Sequence, residues 1–258
     1  MLKKQDKKKY KLILIINIMS IIIIFISAYN ICMWYLDNKN TNDILDDIFN
    51  NVNISYENVS IENATKDTSV LNIDFNKISD FNSDTVGWIT VLGTDINYPV
   101  VQTTDNNFYL THSFDKSYNK AGWIFADYNN SNLRNSSLDY NTVIYGHNRK
   151  NNSMFGTLSN TLTEEWRNNP DNRYIKFSTL NQAMVWQVFS TYTIDSEDYY
   201  IKTNFTSDME YTEFLNTIKN RSIYNFNVNL SDDDRILTLS TCTNIGEGRT
   251  VVHAKLIK

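Results

Sequence analysis

From Leu12 to Leu36 the chain runs for 25 residues without a formal charge (LILIINIMSIIIIFISAYNICMWYL), directly behind a basic N-terminus. As a helix this run would be about 37 Å long at about 1.5 Å per residue, enough to cross the hydrocarbon of a bilayer. It ends in Met33-Trp34-Tyr35, an interfacial aromatic pair, and lacks a small-x-small exit. An uncleaved anchor is therefore expected rather than a cleaved signal peptide. Residues 1–11 hold six Lys against one Asp, a local charge of +5. Such a cluster stays in the cytoplasm, which places everything after Asp37 outside.

The span divides the composition. The 258 residues carry 24 basic and 29 acidic groups, but residues 12–258 alone hold 18 and 28, a local charge of −10. An acidic exterior argues against nucleic acid as a partner. With 41% hydrophobic and 13% aromatic residues the chain has material for a packed core. Two cysteines cannot make a disulfide framework, and three scattered histidines do not form a zinc motif, so neither metal nor other cofactor is expected. Cys32 falls within the span, leaving Cys242 as the only thiol beyond it. The expected organisation is a cytoplasmic tail (1–11), a transmembrane anchor (12–36), a stalk or helical linker (37–70) and an extracellular domain (71–258). Within the linker, Ile44, Leu45, Ile48, Phe49 and Val52 recur at helical spacing. They suit a stalk, or a helix packing on the main domain.

Beyond residue 71 short β-type runs alternate with Asn/Asp/Gly/Ser clusters. The runs are Val86–Leu92, Ile96–Val101, Gly122–Ala126, Thr142–Gly146, Arg173–Ser178, Ala183–Thr193, Arg235–Thr241 and Thr250–Ile257. Eight short strands predict a barrel or sandwich. Two helices are expected between them. One covers Ser153–Trp166, with Met154, Phe155, Leu158 and Leu162 on one face; the other covers Ser207–Asn220, with Met209, Phe214, Leu215 and Ile218. No internal repeat or phosphate-cradling glycine loop is present, so nucleotide chemistry has no support.

In Arg235-Ile-Leu-Thr-Leu-Ser-Thr-Cys242, alternation puts Leu237 and Leu239 on one face and Thr238, Ser240 and Cys242 on the other. The leucines should meet the core, so Cys242 stands on the polar face at the strand end. An exposed thiol outside the cell invites oxidation, and its presence suggests use. A thiolate needs a base or cation beside it. Among the histidines, His147 ends an apolar strand at a Gly-containing turn and is the best placed. His112 lies in a loop, and His253 alternates with Lys255 on an expected solvent face; both take ordinary structural roles. Arg249, just before the last strand, is permanently charged and could donate to a developing oxyanion.

Three segments, Thr142-Val-Ile-Tyr-Gly-His-Asn, Thr238-Leu-Ser-Thr-Cys-Thr and Arg249-Thr-Val-Val-His-Ala-Lys-Leu-Ile, resemble the His, Cys and Arg segments of sortases. Asp84-Thr-Val-Gly-Trp-Ile, Ile96-Asn-Tyr-Pro-Val-Val-Gln, Gly122-Trp-Ile-Phe-Ala-Asp-Tyr and Ser153-Met-Phe-Gly-Thr-Leu resemble class B sortases in particular. The resemblance covers residues 71–258 in order. It implies a mostly β fold: an eight-stranded sortase-type barrel with N-terminal helices and a helix between the sixth and seventh barrel strands. It also implies a membrane-anchored cysteine transpeptidase. Cys242 would be the nucleophile, His147 the acid/base partner and Arg249 the transition-state stabiliser. Ser240, Asn106, Leu110, Tyr200 and Ile201 match substrate-binding positions. The partners implied are surface proteins bearing a C-terminal sorting motif, cleaved after Thr, and an amine of the peptidoglycan peptide.

Two features depart from the family pattern. Some class B members carry Asp two residues after the Cys, where this chain has Asn244, and the loop from Cys242 to Arg249 is slightly short. No lid motif of the pilus-building class is apparent. An L,D-transpeptidase would show Ser-x-Gly-Cys-Arg, which is absent around Cys242. A silent membrane-tethered interaction module would share the anchor and barrel but has no need of the trio.

Overall fold

In the computed structural model, residues 2–58, 69–135, 137–195, 197–242 and 248–258 are described. The chain divides into two compact units, Met1–Asp43 and Ile44–Lys258. A single helix, α1 (Leu2–Asn51), starts the chain. Its length follows from the sequence, since residues 1–86 contain neither Gly nor Pro to stop a helix. In the first unit the apolar side chains of α1 from Leu12 onward are exposed, and no part of the apolar window is buried in the protein. By length and composition it is a candidate membrane span.

The second unit begins where α1 becomes amphipathic. Ile48 and Val52 are buried in the main core, with Ile44 and Leu45 packed against it and Phe49 edge-on to Trp88. This stretch therefore behaves as a packed helix rather than a free stalk. A two-stranded antiparallel sheet follows, β1 (Ile54–Asn58) with β2 (Ser69–Ile73). Helix α2 (Phe75–Phe81) comes next, its start capped by the Asp74 side chain accepting from the Lys77 N–H.

The remaining strands are β3 (Thr85–Val91), β4 (Asn97–Val101), β5 (Phe125–Ala126), β6 (Asn141–His147), β7 (Tyr174–Thr179), β8 (Ala183–Ile194), β9 (Ile236–Cys242) and β10 (Arg249–Leu256). They close into a barrel in the order β10, β8, β7, β3, β4, β5, β6, β9. Six pairings are antiparallel; β4 with β5 and β6 with β9 are parallel. Closure leaves no barrel edge unpaired. All eight expected strands exist, although Gly122–Ala126 contracts to its last two residues.

The connection from β8 to β9 contains helix α4 (Asp208–Asn220), as expected between the sixth and seventh barrel strands. Ser207 caps it, accepting from the Glu210 N–H, and Tyr211, Phe214, Leu215 and Ile218 form its buried face. Met209, expected on that face, is exposed. Tyr211 takes its place, because residue 211 is the one spaced three, four and seven from 214, 215 and 218.

The helix expected over Ser153–Trp166 is not continuous. A tight turn is followed by a 3-10 segment, Leu158–Leu162, and a short helix, α3 (Glu164–Asn168). Asn152 and Met154 both have positive φ, and Gly156 packs too closely on the backbone of Arg149 and Asn152 to admit a side chain. Thr163 then caps α3 and interrupts what precedes it. Met154, Phe155 and Leu158 are buried nonetheless. Their apolar spacing thus reflects a packed turn that mimics a helix period.

His253 also differs from expectation. It is wholly buried, because its face of β10 is covered by Tyr192, Phe189 and Tyr200 rather than water. The ladder with β8 shifts register between His253 and Ala254, and Lys255 beyond that shift reaches the Asn229 carbonyl and the Asp234 carboxylate. In β9, Leu237 and Leu239 are buried as expected, yet Thr238 and Ser240 are equally buried. Alternation separates two faces of β9, but both are packed, one with apolar and one with hydrogen-bonded polar groups.

Candidate active site

The parallel pair β6 and β9 sets the site. Their register runs from Asn141 opposite Ile236 to His147 opposite Cys242, so both strands end side by side at the same rim. The side chain of Cys242, and residues 243–247 with Asn244, lie outside the described residues. Of the described residues flanking them, the Thr250 N–H donates to Thr241 Oγ1 at 2.9 Å.

His147 is half-buried. Its Nε2 lies 2.7 Å from the Leu110 carbonyl oxygen, which can only accept, so Nε2 carries a proton. Two features make this contact possible. Leu110 ends a 3-10 turn, Phe108–Leu110, started by the Asp105 carboxylate accepting from the N–H groups of Asn107 and Phe108. These bonds hold the Asp105 carboxyl below its ordinary pKa. The second feature is Gly122, at φ +60, where a Cβ would stand 2.6 Å from the Tyr109 carbonyl, 2.8 Å from His147 Cδ2 and 2.9 Å from the Leu110 carbonyl. Only glycine lets the backbone pass behind the imidazole.

Arg249 opens β10 opposite Ile194 of β8. Its Nη1 points to Tyr200 Oη at 3.4 Å, and Tyr200 Oη is 3.0 Å from Ser240 Oγ. Tyr200 is fully buried, in the 3-10 turn Tyr199–Ile201 that precedes α4, and Ile201 packs partly buried against the same core. The structure thus gathers Arg249, Tyr200 and Ser240 in one cluster, and His147 with Leu110 in another, on the strand ends that carry Cys242.

Asn106 stands in a third cluster. Its amide nitrogen donates to Asp127 Oδ2 at 2.9 Å, and its oxygen accepts from the Tyr128 N–H at 3.0 Å. Asp127 is buried and also accepts from Tyr145 Oη at 2.7 Å, Tyr145 being the register partner of Ser240. Sequence reasoning missed Asp127 and Gly122, although both sit in the segment Gly122-Trp-Ile-Phe-Ala-Asp127. A carboxylate ending an apolar strand was the available signal.

Chemically, adjacent strand ends bearing a cysteine and an oriented imidazole offer a nucleophile and a proton carrier. A guanidinium held on the next strand offers donors for developing negative charge. This combination suits acyl transfer.

A family model described as a sortase domain matches residues 89–257. Sortase B of Listeria monocytogenes is 34% identical over 241 residues, covering 90% of this chain and 91% of that protein. Sortase B of Staphylococcus aureus is 34% identical over 250 residues, covering 95% and 96%. A solved Staphylococcus aureus sortase B–substrate complex superposes with a TM-score of 0.66 at 37% identity, over 71% of this chain and 84% of that one. The closed eight-stranded barrel, the paired ends of β6 and β9 and these likenesses together place the chain in the sortase family, as a class B cysteine transpeptidase.

Proposed function

We propose that the protein joins surface proteins to the cell wall through a thioester on Cys242. The reading is carried by the register that sets His147 beside Cys242, with the imidazole held by the Leu110 carbonyl. The Cys242 thiolate attacks the Thr carbonyl of a C-terminal sorting motif. The C–N bond breaks, and His147 gives its proton to the departing amine. A peptidoglycan amine then attacks the thioester, loses a proton to His147, and releases the thiolate. Arg249 stabilises the oxyanion in both steps, and its contact with Tyr200 keeps it turned towards the cluster. Ser240, Asn106, Leu110, Tyr200 and Ile201 line the path of the motif. A relative has been solved as a sortase B–substrate complex, which supports a peptide substrate for this site.

Residues 12–36 anchor the enzyme in the cell membrane, with residues 1–11 in the cytoplasm, the linker 37–70 outside and the catalytic region 71–258 at the wall. The apolar exposed face of α1 and the flanking lysines support this topology.

The test is single-turnover reaction of the full chain in detergent with peptides ending in Asn-Pro-x-Thr-Asn or Thr-Gly motifs, followed by mass spectrometry. Wild type should accumulate a thioester on Cys242 that hydroxylamine releases. Cys242→Ala should form none, and His147→Ala should slow formation by at least about a hundredfold. Cleavage by Cys242→Ala would remove the nucleophile from this reading.

A further inference from the structure

The fold buries a histidine that the proposed chemistry does not use. His253 Nδ1 is 2.8 Å from Thr238 Oγ1, and its Nε2 is 2.8 Å from Tyr192 Oη. Thr238 Oγ1 in turn donates to Asn141 Oδ1 at 2.6 Å. Asn141 Nδ2 donates to the carbonyls of Tyr200 at 3.2 Å and Lys202 at 2.9 Å, while its own N–H donates to the Thr203 carbonyl at 3.3 Å. One asparagine thus grips the backbone of residues 200–203 at three points.

Proton directions along this chain are fixed. Carbonyl oxygens only accept, so the Asn141 amide nitrogen must face residues 200 and 202, and its oxygen must face Thr238. The single hydroxyl proton of Thr238 is then committed to Asn141, so Thr238 can only accept from His253 Nδ1–H. His253 Nε2 is left as an acceptor for the Tyr192 hydroxyl. The Arg221 guanidinium stands over the Tyr192 ring, 6.0 Å from its centroid, and pairs with Glu197 in the same connection between β8 and β9. Thr238, His253, Asn141 and Ser190 are fully buried here, and the Tyr200 ring meets His253 edge-on.

We infer that His253, as the neutral Nδ1–H tautomer, is a positioning residue: it locks the amide of Asn141, which holds the Tyr200–Thr203 backbone where the sorting peptide binds. This rests on the reading that Tyr200 and Ile201 contact substrate. The brace acts through hydrogen-bond direction. An apolar residue of similar size at 253 or 238 would leave the packing filled but remove the directed support on Asn141 Oδ1, loosening the hold of its amide on the Tyr200 and Lys202 carbonyls. His253 burial also keeps the ring uncharged, since desolvation and the nearby Arg221 both depress its pKa.

The test uses the full chain in detergent, labelled with 15N-histidine. With only three histidines, His253→Gln assigns the signal. The wild-type ring at pH 7 should show a protonated Nδ1 and a bare Nε2. Thr238→Val and His253→Phe should speed hydrogen exchange in residues 199–204 about tenfold relative to β7, and raise the peptide KM about tenfold with kcat within about twofold. His253→Gln can donate and accept at similar positions and should restore most of the wild-type KM. An Nε2–H tautomer, or unchanged exchange at 199–204 in both Thr238→Val and His253→Phe, would overturn the brace. Because the tautomer is read on the wild type and Thr238→Val is nearly isosteric, a poorly folding His253→Phe does not block the decision. If exchange rises as expected but KM is unchanged here and in Tyr200→Ala, the brace stands and the substrate contact at Tyr200 is what fails.

Discussion

Individual residues in this protein are decided by what surrounds them more than by their type. Three histidines occur, and each has a different physical fate: His112 stacks on Phe108, His147 sits half-buried at a strand end, and His253 is sealed in the wall. Burial drives the His253 pKa down to about 3, with Arg221 adding to the effect. The sign of the stability effect follows: the unfolded chain binds a proton below about pH 6.5 that the folded chain refuses until about pH 3. Stability from this group is complete above pH 6.5 and falls as pH drops, by about 2 kcal/mol between pH 6.5 and 5. Denaturant titrations across that range should show the slope in wild type and a flatter one in His253→Gln. Tyr192, Thr238, Tyr200, Phe189 and Arg221 are the groups that face the ring, and of these Arg221 is cationic. Gly122 makes the opposite case, a residue needed for what it lacks. Gly122→Ala should cost about 1–3 kcal/mol of stability through its positive φ and push the His147 ring from its place. A fall in thioester formation beyond that expected from the folded fraction would be the measured sign; full activity would show that the imidazole is free to shift.

At the level of elements, sequence periodicity was legible where local and tertiary forces agree. Helix α4 has a Ser cap, acidic residues in its first turn and a lysine in its last, and a buried stripe, so its bounds could be read directly. Ser207→Ala should remove about 1 kcal/mol by leaving the Glu210 N–H without its cap, a shift readable in thermal unfolding. The false helix at Ser153–Trp166 shows the limit. Its apolar residues obey the helical spacing, but Asn152 and Met154 adopt positive φ and Thr163 restarts the chain. Turn geometry of that kind leaves no periodic trace. The β9 strand posed a different ambiguity. Alternation of Leu and Ser/Thr reads as a core face and a wet face, whereas Tyr200 of the β8–β9 connection, Asn141 of β6 and His253 of β10 meet the second face and turn its hydroxyls into buried hydrogen-bond partners.

For the molecule as a whole, the absence of Gly and Pro from the first 86 residues lets α1 run from Leu2 to Asn51, and its residues Ile48 and Val52 are buried in the core of the second unit. A chain starting at Ile44 keeps the packed turn of α1 and serves as the reference for a shorter one. One starting at residue 71 loses Ile48, Val52 and β1 and should melt markedly lower, and Ile48→Ala alone should cost about 2–5 kcal/mol. Equal melting of both truncations would mean that the amphipathic turn of α1 adds nothing to the core. By itself the sequence determined the apolar span, the eight barrel strands but not the β1–β2 pair, the capped helix and the motifs around His147, Cys242 and Arg249, because charge, alternation and chemical type are written residue by residue. Only the tertiary structure decided which strand ends meet and which polar groups are buried. The register of His147 on Cys242 joins residues 95 positions apart, and the Asn141–Thr238–His253 chain links β6, β9 and β10. Such pairings depend on how the barrel closes, and closure depends on all eight strands at once.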